Sequence, residues 1–337
     1  MKMNNDLKDI LHRRLGEKRA NSAVCNMVRG VAPSSTANLG PGFDVFGMAL
    51  DLFSDIVQID LVSERGVTVQ VGGLDHERVS TAVDKNTAGF VAKLVLDTLK
   101  KPQGLVIRLT KGVPVGRGLG SSAASAAACV VALDALFGLG LRSDDLVRLV
   151  AYGEVAAAGA VHFDNAAAAV LGGFVVVSQK PFKVSKFEPP TGLEVAVASP
   201  NVELPKEKTK VMRNMLPGKV DLGLVTNNVA HASLFVAGMA LSDIDMIGDA
   251  MSDSIVEPIR SKMIPMFSDV KRAAYEAGAS GVAISGAGPT MLAVCNSARV
   301  NAKDVAHAMK EAFERGNVSC EAYWAKPSSG ASVVEKR

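Results

Sequence analysis

The sequence predicts an α+β protein in two parts, and three observations predict it. Short stretches that alternate apolar and polar residues stand between longer stretches with apolar residues at helical spacing. A run with a glycine at every second position, Pro114–Ser122, feeds a serine- and alanine-rich segment. A second glycine-rich turn, Ser285–Thr290, separates two short apolar runs late in the chain.

Taken in order, Asp55–Val62, Val67–Val71, Leu105–Thr110 and Gly173–Ser178 alternate as strands do. Asn86–Lys100 sets Phe90, Leu94 and Leu99 at helical spacing. Helices over Ser121–Phe137 and Ser143–Ala158 follow, with Ser121 or Ser122 capping the first and Ser143 the second. The Pro- and Lys-bearing stretch Gln179–Pro190 breaks the pattern and is the expected domain boundary. Beyond it come a strand at Glu194–Ala198 and helices around Lys208–Met215, Leu222–Ala240 and Pro258–Ala277. Gly281–Ile284 and Met291–Cys295 form a β-turn-β element, followed by a helix over Ala302–Arg315 and a strand near Cys320–Trp324. That order suits a sandwich of the split βαβ type. The expected division is a basic extension over 1–27, a first domain over 28–185, a second over 190–326 and a mobile tail over 327–337.

Composition excludes several classes. The 337 residues are 48% hydrophobic and 21% charged, ordinary for a soluble globular protein. The net charge of +3 arises at one end: residues 1–29 carry seven Lys/Arg against three Asp/Glu, and the remainder is close to neutral. No nucleic-acid partner is expected of such a body. No run approaches the ~18 apolar residues of a membrane span, and the start lacks the apolar core of a secretory signal. The leader reads as an amphipathic helix (Leu7, Ile10, Leu11, Leu15), and Asp6, Asp9 and Glu17 count against an organelle transit peptide. Cys25, Cys129, Cys295 and Cys320 are scattered, with neither zinc spacing nor a disulfide framework, which suits a reducing cytoplasm.

The chemistry concentrates in a few places. Gly116, Gly118 and Gly120 allow sharp turns and close approach of a ligand to the backbone. The helix start behind them offers free N–H groups and about half a positive charge, which suits a phosphate. A tight turn before a packed helix is the ordinary alternative. The loop is neither a Walker loop, having no Gly-Lys-Ser/Thr, nor a dinucleotide loop, since Gly120 comes one residue early. Ala32–Asp44 gathers hydroxyls, Asn38, glycines and Asp44 in what reads as one loop, able to bind a polar substrate or simply to build turns. Glu154 stands among small apolar residues, where a carboxylate needs solvent or a cation. Mg2+ takes one or two carboxylates plus substrate phosphates. His162–Asn165 is a further polar cluster before an alanine run.

These motifs together resemble the GHMP kinases. Pro33–Asp44, Pro114–Ser122 and Ser285–Thr290 match that family's three motifs in order, and the similarity runs from about Val28 to Trp324. Within the family, Asn38–Asp44, the His-x-Asp-Asn at 162–165 and Glu257–Arg260 are most similar to the homoserine kinases. The resemblance implies a two-domain GHMP fold, with a left-handed βαβ unit in the N-terminal domain and a ferredoxin-like C-terminal domain. It implies transfer of phosphate from ATP, with Mg2+, to the side-chain hydroxyl of L-homoserine in threonine biosynthesis.

Carried onto this sequence, it puts Pro114, Val115, Gly116, Arg117, Gly118, Leu119, Gly120, Ser121, Ser122 and Gly288 around ATP, with Asn86 by the adenine. Ser122 and Glu154 would hold Mg2+, and Lys111 would add charge near the phosphates. Homoserine would be held by Asn38, Asp44, His162 and Asn165, its carboxylate by Arg213 and Arg260, with Thr209 and Thr290 as secondary contacts. The family commonly dimerises, so a homodimer is expected on that ground alone. Sister kinases carry a basic aspartate where this chain has Asn165, and an amide takes no proton. Asp164 is expected to point elsewhere, ~100° around the helix, so catalysis without a dedicated base follows. The competing readings are a mevalonate-type kinase and a non-catalytic sensor on the same fold.

Overall fold

The computed structural model describes Leu11 and residues 25–158, 161–203, 205 and 208–337. The expected leader helix otherwise lies outside the described residues, although Leu11 is buried against the first core.

The first half is built on a seven-stranded sheet. β1 (Met27–Asn38) and β2 (Gly42–Val62) are antiparallel neighbours joined by a tight turn. β3 (Gly66–Gly73), α1 (Thr87–Leu99) and β4 (Gly104–Lys111) form a βαβ unit whose two strands pair in parallel. α2 (Ser121–Phe137) and α3 (Ser143–Ala158) follow and pack beside α1, and α4 (Phe163–Leu171) packs against α2 and α3. Their contact faces are largely alanine: Ala126, Ala127, Ala128 and Ala166 to Ala169 are fully buried, and small side chains let the helices approach closely. β5 (Phe174–Gln179) pairs with β2 and with β6 (Phe182–Phe187).

The second half is a four-stranded antiparallel sheet of β7 (Leu193–Pro200), β8 (Gly281–Ile284), β9 (Met291–Asn296) and β10 (Cys320–Ala325), in the order β10-β7-β9-β8. Between β7 and β8 lie α5 (Lys208–Asn214), α6 (Leu222–Leu241), α7 (Ile244–Asp249), α8 (Glu257–Arg260) and α9 (Phe267–Glu276). α10 (Ala302–Arg315) links β9 to β10. The strand period of two sends successive residues to opposite faces. Ala196, Ala198, Ala293 and Cys295 face α9 and α10. Val195, Val197, Leu292 and Val294 face a core shared with the first half, where Phe46 and Phe174 meet Phe235 of α6. The Phe174 and Phe235 rings lie 5.1 Å apart, within the range of favourable aromatic pairs. One continuous apolar core therefore holds the two sheets in register.

Several expectations change. The tail expected to be mobile beyond 327 holds β11 (Ser332–Lys336), which pairs antiparallel with the edge of β1. The stretch read as a boundary, Gln179–Pro190, is filled by the β5–β6 hairpin, whose outer strand is polar enough to read as linker. The single helix expected over Pro258–Ala277 is broken, because Pro265 forces Ile264 into an extended conformation. α2 is capped by Gly120 in the left-handed region, not by a serine side chain. Ala32–Asp44, read as one loop, is mostly the end of β1, with Ser34, Ser35 and Thr36 fully buried.

The absence of a span-like run also needs correction. α6 is 20 residues long with a mean hydropathy of 1.3, enough by length and composition to cross a bilayer. Its Asn, Ser, Thr and His residues break the apolar run without introducing a single Asp, Glu, Lys or Arg. Phe235 and Met239 anchor one side in the shared core, while Leu222, Val229, Leu234 and Leu241 remain 77%, 59%, 48% and 70% exposed.

Candidate active site

The glycine run between β4 and α2 lies against the Ser285–Thr290 turn from the other sheet. Gly118 has φ +87°, and a Cβ there would sit 2.3 Å from the Ser285 carbonyl oxygen. Gly120 has φ +68°, and its Cβ would meet the Ser35 hydroxyl at 2.1 Å. Only glycine fits either place. The Ser285 hydroxyl donates to the Gly118 carbonyl at 2.6 Å and lies 2.9 Å from the Thr36 hydroxyl. The loop leads into the first turn of α2, whose backbone N–H groups have no partner within the helix.

Other side chains of this half are placed differently from expectation. Lys111 is buried and forms an ion pair with Asp55, while also donating to the Ser121 carbonyl and the Ser125 hydroxyl, both at 3.0 Å. It braces the underside of the loop and does not present its charge to a phosphate. Asp55 in turn accepts the Gly112 and Val113 N–H groups at 2.9 and 3.0 Å. Asn86, expected by the adenine, is buried as the cap of α1, accepting from the Gly89 N–H and donating to the Ser80 carbonyl. Arg117 reaches away to the Pro200 carbonyl and the Asn201 side chain at 2.6 and 3.0 Å. The Val115 N–H donates to Asp75. Thr290, expected as a secondary substrate contact, is buried with its hydroxyl bonded to Ser199.

The second polar group gathers beside this loop. The Arg213 guanidinium grips Asp44 with two bonds of 2.8 Å. Arg260 donates to the Gly286 carbonyl at 3.0 Å, and the Asn38 amide reaches the same oxygen at 2.9 Å. Both guanidinium groups lie over the Phe43 ring, at 5.4 and 5.0 Å. Asn165 accepts from the Ser35 hydroxyl at 3.0 Å, beneath Gly120. His162 Nδ1 stands 3.9 Å from a Glu154 carboxylate oxygen. Burial, then the Arg213 charge, lowers the His162 pKa and favours a neutral imidazole. Thr209 is on α5, next to Lys208 and partly exposed.

Asp164 does not point away from this cluster. It is buried, bonds its neighbour's N–H at 2.8 Å, and exerts its charge on Glu154 and Arg213. Burial first, then repulsion from Asp44, raises its pKa to about 7. Glu154 is raised well above the usual carboxylate range by burial, then by Asp164. The Ser122 hydroxyl, one Glu154 oxygen and His162 Nε2 are buried without a hydrogen-bond partner among the described residues. Such atoms are costly unless a ligand completes them.

Sequence reasoning missed Lys208. Its ammonium donates to the Gly116 carbonyl at 2.7 Å and to the Gly288 carbonyl, so it touches both glycine turns. One lysine in a short polar helix carries no pattern by which to find it.

Two polar groups thus meet across the junction of the sheets, one of backbone N–H groups at the start of α2 and one rich in paired charge. The profile of the GHMP kinases N terminal domain matches residues 86–173, and that of the GHMP kinases C terminal matches residues 235–315. A homoserine kinase of Methanococcus maripaludis is 38% identical over 310 residues, covering 91% of this chain and 98% of that protein. One from Aeropyrum pernix is 40% identical over 317 residues, covering 92% and 99%. The chain belongs to the homoserine kinases of the GHMP kinase family. A homoserine kinase crystal structure from Cytophaga hutchinsonii superposes on this kinase with a TM-score of 0.86 at 37% identity, over 94% of this chain and all of that one. A mevalonate kinase from L. major, at 17% identity and a TM-score of 0.64, shares the fold of this kinase. As a GHMP kinase, it uses ATP to phosphorylate an alcohol.

Proposed function

We propose that the acceptor is the side-chain hydroxyl of L-homoserine and the product O-phospho-L-homoserine. The observation that carries this reading is the Asp44–Arg213 pair with Arg260 beside it. An α-amino acid needs a cation for its carboxylate and an anion for its ammonium, each at about 2.8 Å. A zwitterion entering here exchanges one internal ion pair for two new ones, and a planar fork suits its carboxylate. Mevalonate has no amine to satisfy Asp44. ADP release measured in parallel with L-homoserine, L-threonine, L-serine and mevalonate tests the proposal. Turnover should be highest with homoserine, and a stronger signal from mevalonate would overturn it.

Mg2+ fits the orphaned atoms: Ser122 and Glu154 would hold it, and once bound it would neutralise charge building on the transferring phosphoryl group. The chain's residues do the rest. The α2 N-terminus draws the phosphates, Asn38 and the two arginines fix the acceptor, and the shared core keeps both in register. Asn165 holds Ser35 under the loop and takes no proton, and the acceptor proton passes to a phosphate oxygen.

Asp164→Asn checks that last step and carries a pH signature. The folded protein holds a proton on Asp164 up to about pH 7, while the unfolded chain releases it near its ordinary value of 3.8. Wild-type stability therefore falls as pH rises between those values, by about 1.4 kcal/mol per unit at most. The variant lacks that slope, so it should match wild type at pH 4 and be the more stable at pH 8. Turnover should fall by less than about tenfold. Abolished turnover with homoserine binding intact would make Asp164 the base.

The exposed face of α6 supports a homodimer. A 20-residue helix is about 30 Å long and about 10 Å wide, so half its surface amounts to roughly 500 Å2. Two copies then bury roughly 1,000 Å2, the lower bound for a specific interface, with no like charges opposed. Leu234→Glu with Leu241→Glu should give a monomer in sedimentation. A wild-type monomer, or wild type floating with lipid vesicles, would refute the pairing.

A further inference from the structure

The phosphate loop has lost the cation first expected of it. Lys111 is consumed by Asp55, Arg117 by Pro200 and Asn201, and Arg213 by Asp44. Lys208 is different: it comes from α5, outside all three family motifs, and its ammonium lies across the carbonyls of Gly116 and Gly288. Gly116 lies in the phosphate loop and Gly288 in the facing turn, so the group sits where the two backbones converge.

We infer that Lys208 is a phosphate-binding residue of this kinase, held ready by the two carbonyls and turned onto the anionic tail of the nucleotide when that tail enters the cradle. The inference rests on reading the loop as a nucleotide cradle. An ammonium has three donors. Two are engaged by the carbonyls, and the third is available to a phosphate oxygen without breaking either bond. The lysine can therefore staple the two turns together and count the charge between them.

Its surroundings favour that use. The facing charged groups are Arg260 on α8 and Arg117 in the loop, both positive, and they follow burial as causes that lower the Lys208 pKa to about 7. A cation kept in such a place is costly until an anion arrives. Entry of the nucleotide then restores full protonation, so binding above neutral pH takes up a proton.

Isothermal titration of ATP, ADP and adenosine at pH 8, in two buffers of different ionisation enthalpy, tests this on wild type, Lys208→Met and Lys208→Arg. The methionine variant should bind ATP and ADP about tenfold or more weakly, with adenosine within about twofold. Wild type should take up protons with ATP, and the methionine variant should take up fewer. The arginine variant should recover most of the ATP affinity without the uptake, since arginine is always charged. Equal weakening of ATP and adenosine with a lowered melting temperature would mean that Lys208 only staples the turns, and would overturn the inference. So would unchanged ATP affinity. If wild type itself bound no nucleotide, the cradle reading would fail first.

Discussion

Exchange of Glu154 for glutamine is expected to lower kcat by about two to three orders of magnitude while leaving the KM for the acceptor and the fold intact. Glu154 is buried on α3 with one oxygen unpartnered, and burial together with Asp164 disfavours its ionised form. A free-standing carboxyl in that place stays protonated and contributes little. A cation changes the balance, because opposite charge favours the ionised form and offsets the cost of burial. Glutamine keeps the size and one acceptor oxygen but cannot carry the charge, so Mg2+ should be held far more weakly. Steady-state rates across a Mg2+ titration measure this. A higher Mg2+ requirement with a lower ceiling is the expected pattern, and near-normal rates would remove Glu154 from the metal site. Thermal stability should hold or rise, since an unpaired buried acid has been replaced by a neutral group.

Lys111→Met should act on stability first. The change leaves Asp55 buried beneath the loop with its countercharge gone, a defect worth about 3 to 5 kcal/mol. Urea unfolding should show the extrapolated stability lowered by that amount at unchanged slope, with the midpoint moved down by the loss divided by the slope. Asp55→Asn combined with Lys111→Met should recover part of the loss, because no unpaired charge remains. Nucleotide affinity, measured where the single variant is still folded, should change much less. Full stability with lost ATP affinity would instead return Lys111 to the phosphates.

The sequence was most informative where a feature was local. Each glycine turn, the alanine faces of the helices, and the polar character of Asn38, Asp44 and the His162–Asn165 group are written in neighbouring residues. Contacts between distant residues were not legible. Lys111 carries the same charge whether it meets Asp55, 56 residues earlier in the chain, or a phosphate. Asn86 looks equally suited to a base and to a cap. A turn of ~100° per residue sets the direction of Asp164 relative to Asn165 but not what surrounds it. Glu154, Asp44 and Arg213 come from three other elements. β6 escaped because its polar, lysine-bearing residues read as linker, and the long first half of β2 because its buried and exposed positions do not alternate. Lys208 escaped because its meaning depends on two backbone oxygens 92 and 80 residues away.

β11 has a consequence for how the molecule is made. It pairs with β1 across some 300 residues of intervening chain, Val28 opposite Lys336, so the first sheet cannot be completed until nearly all of that chain has been synthesised. Until then β1 presents an open row of N–H and carbonyl groups, the kind of edge that recruits strands from other chains. A fragment ending before Ser332 keeps that edge open permanently. Crowded nascent chains, rather than the finished enzyme, are where this architecture is most exposed to aggregation.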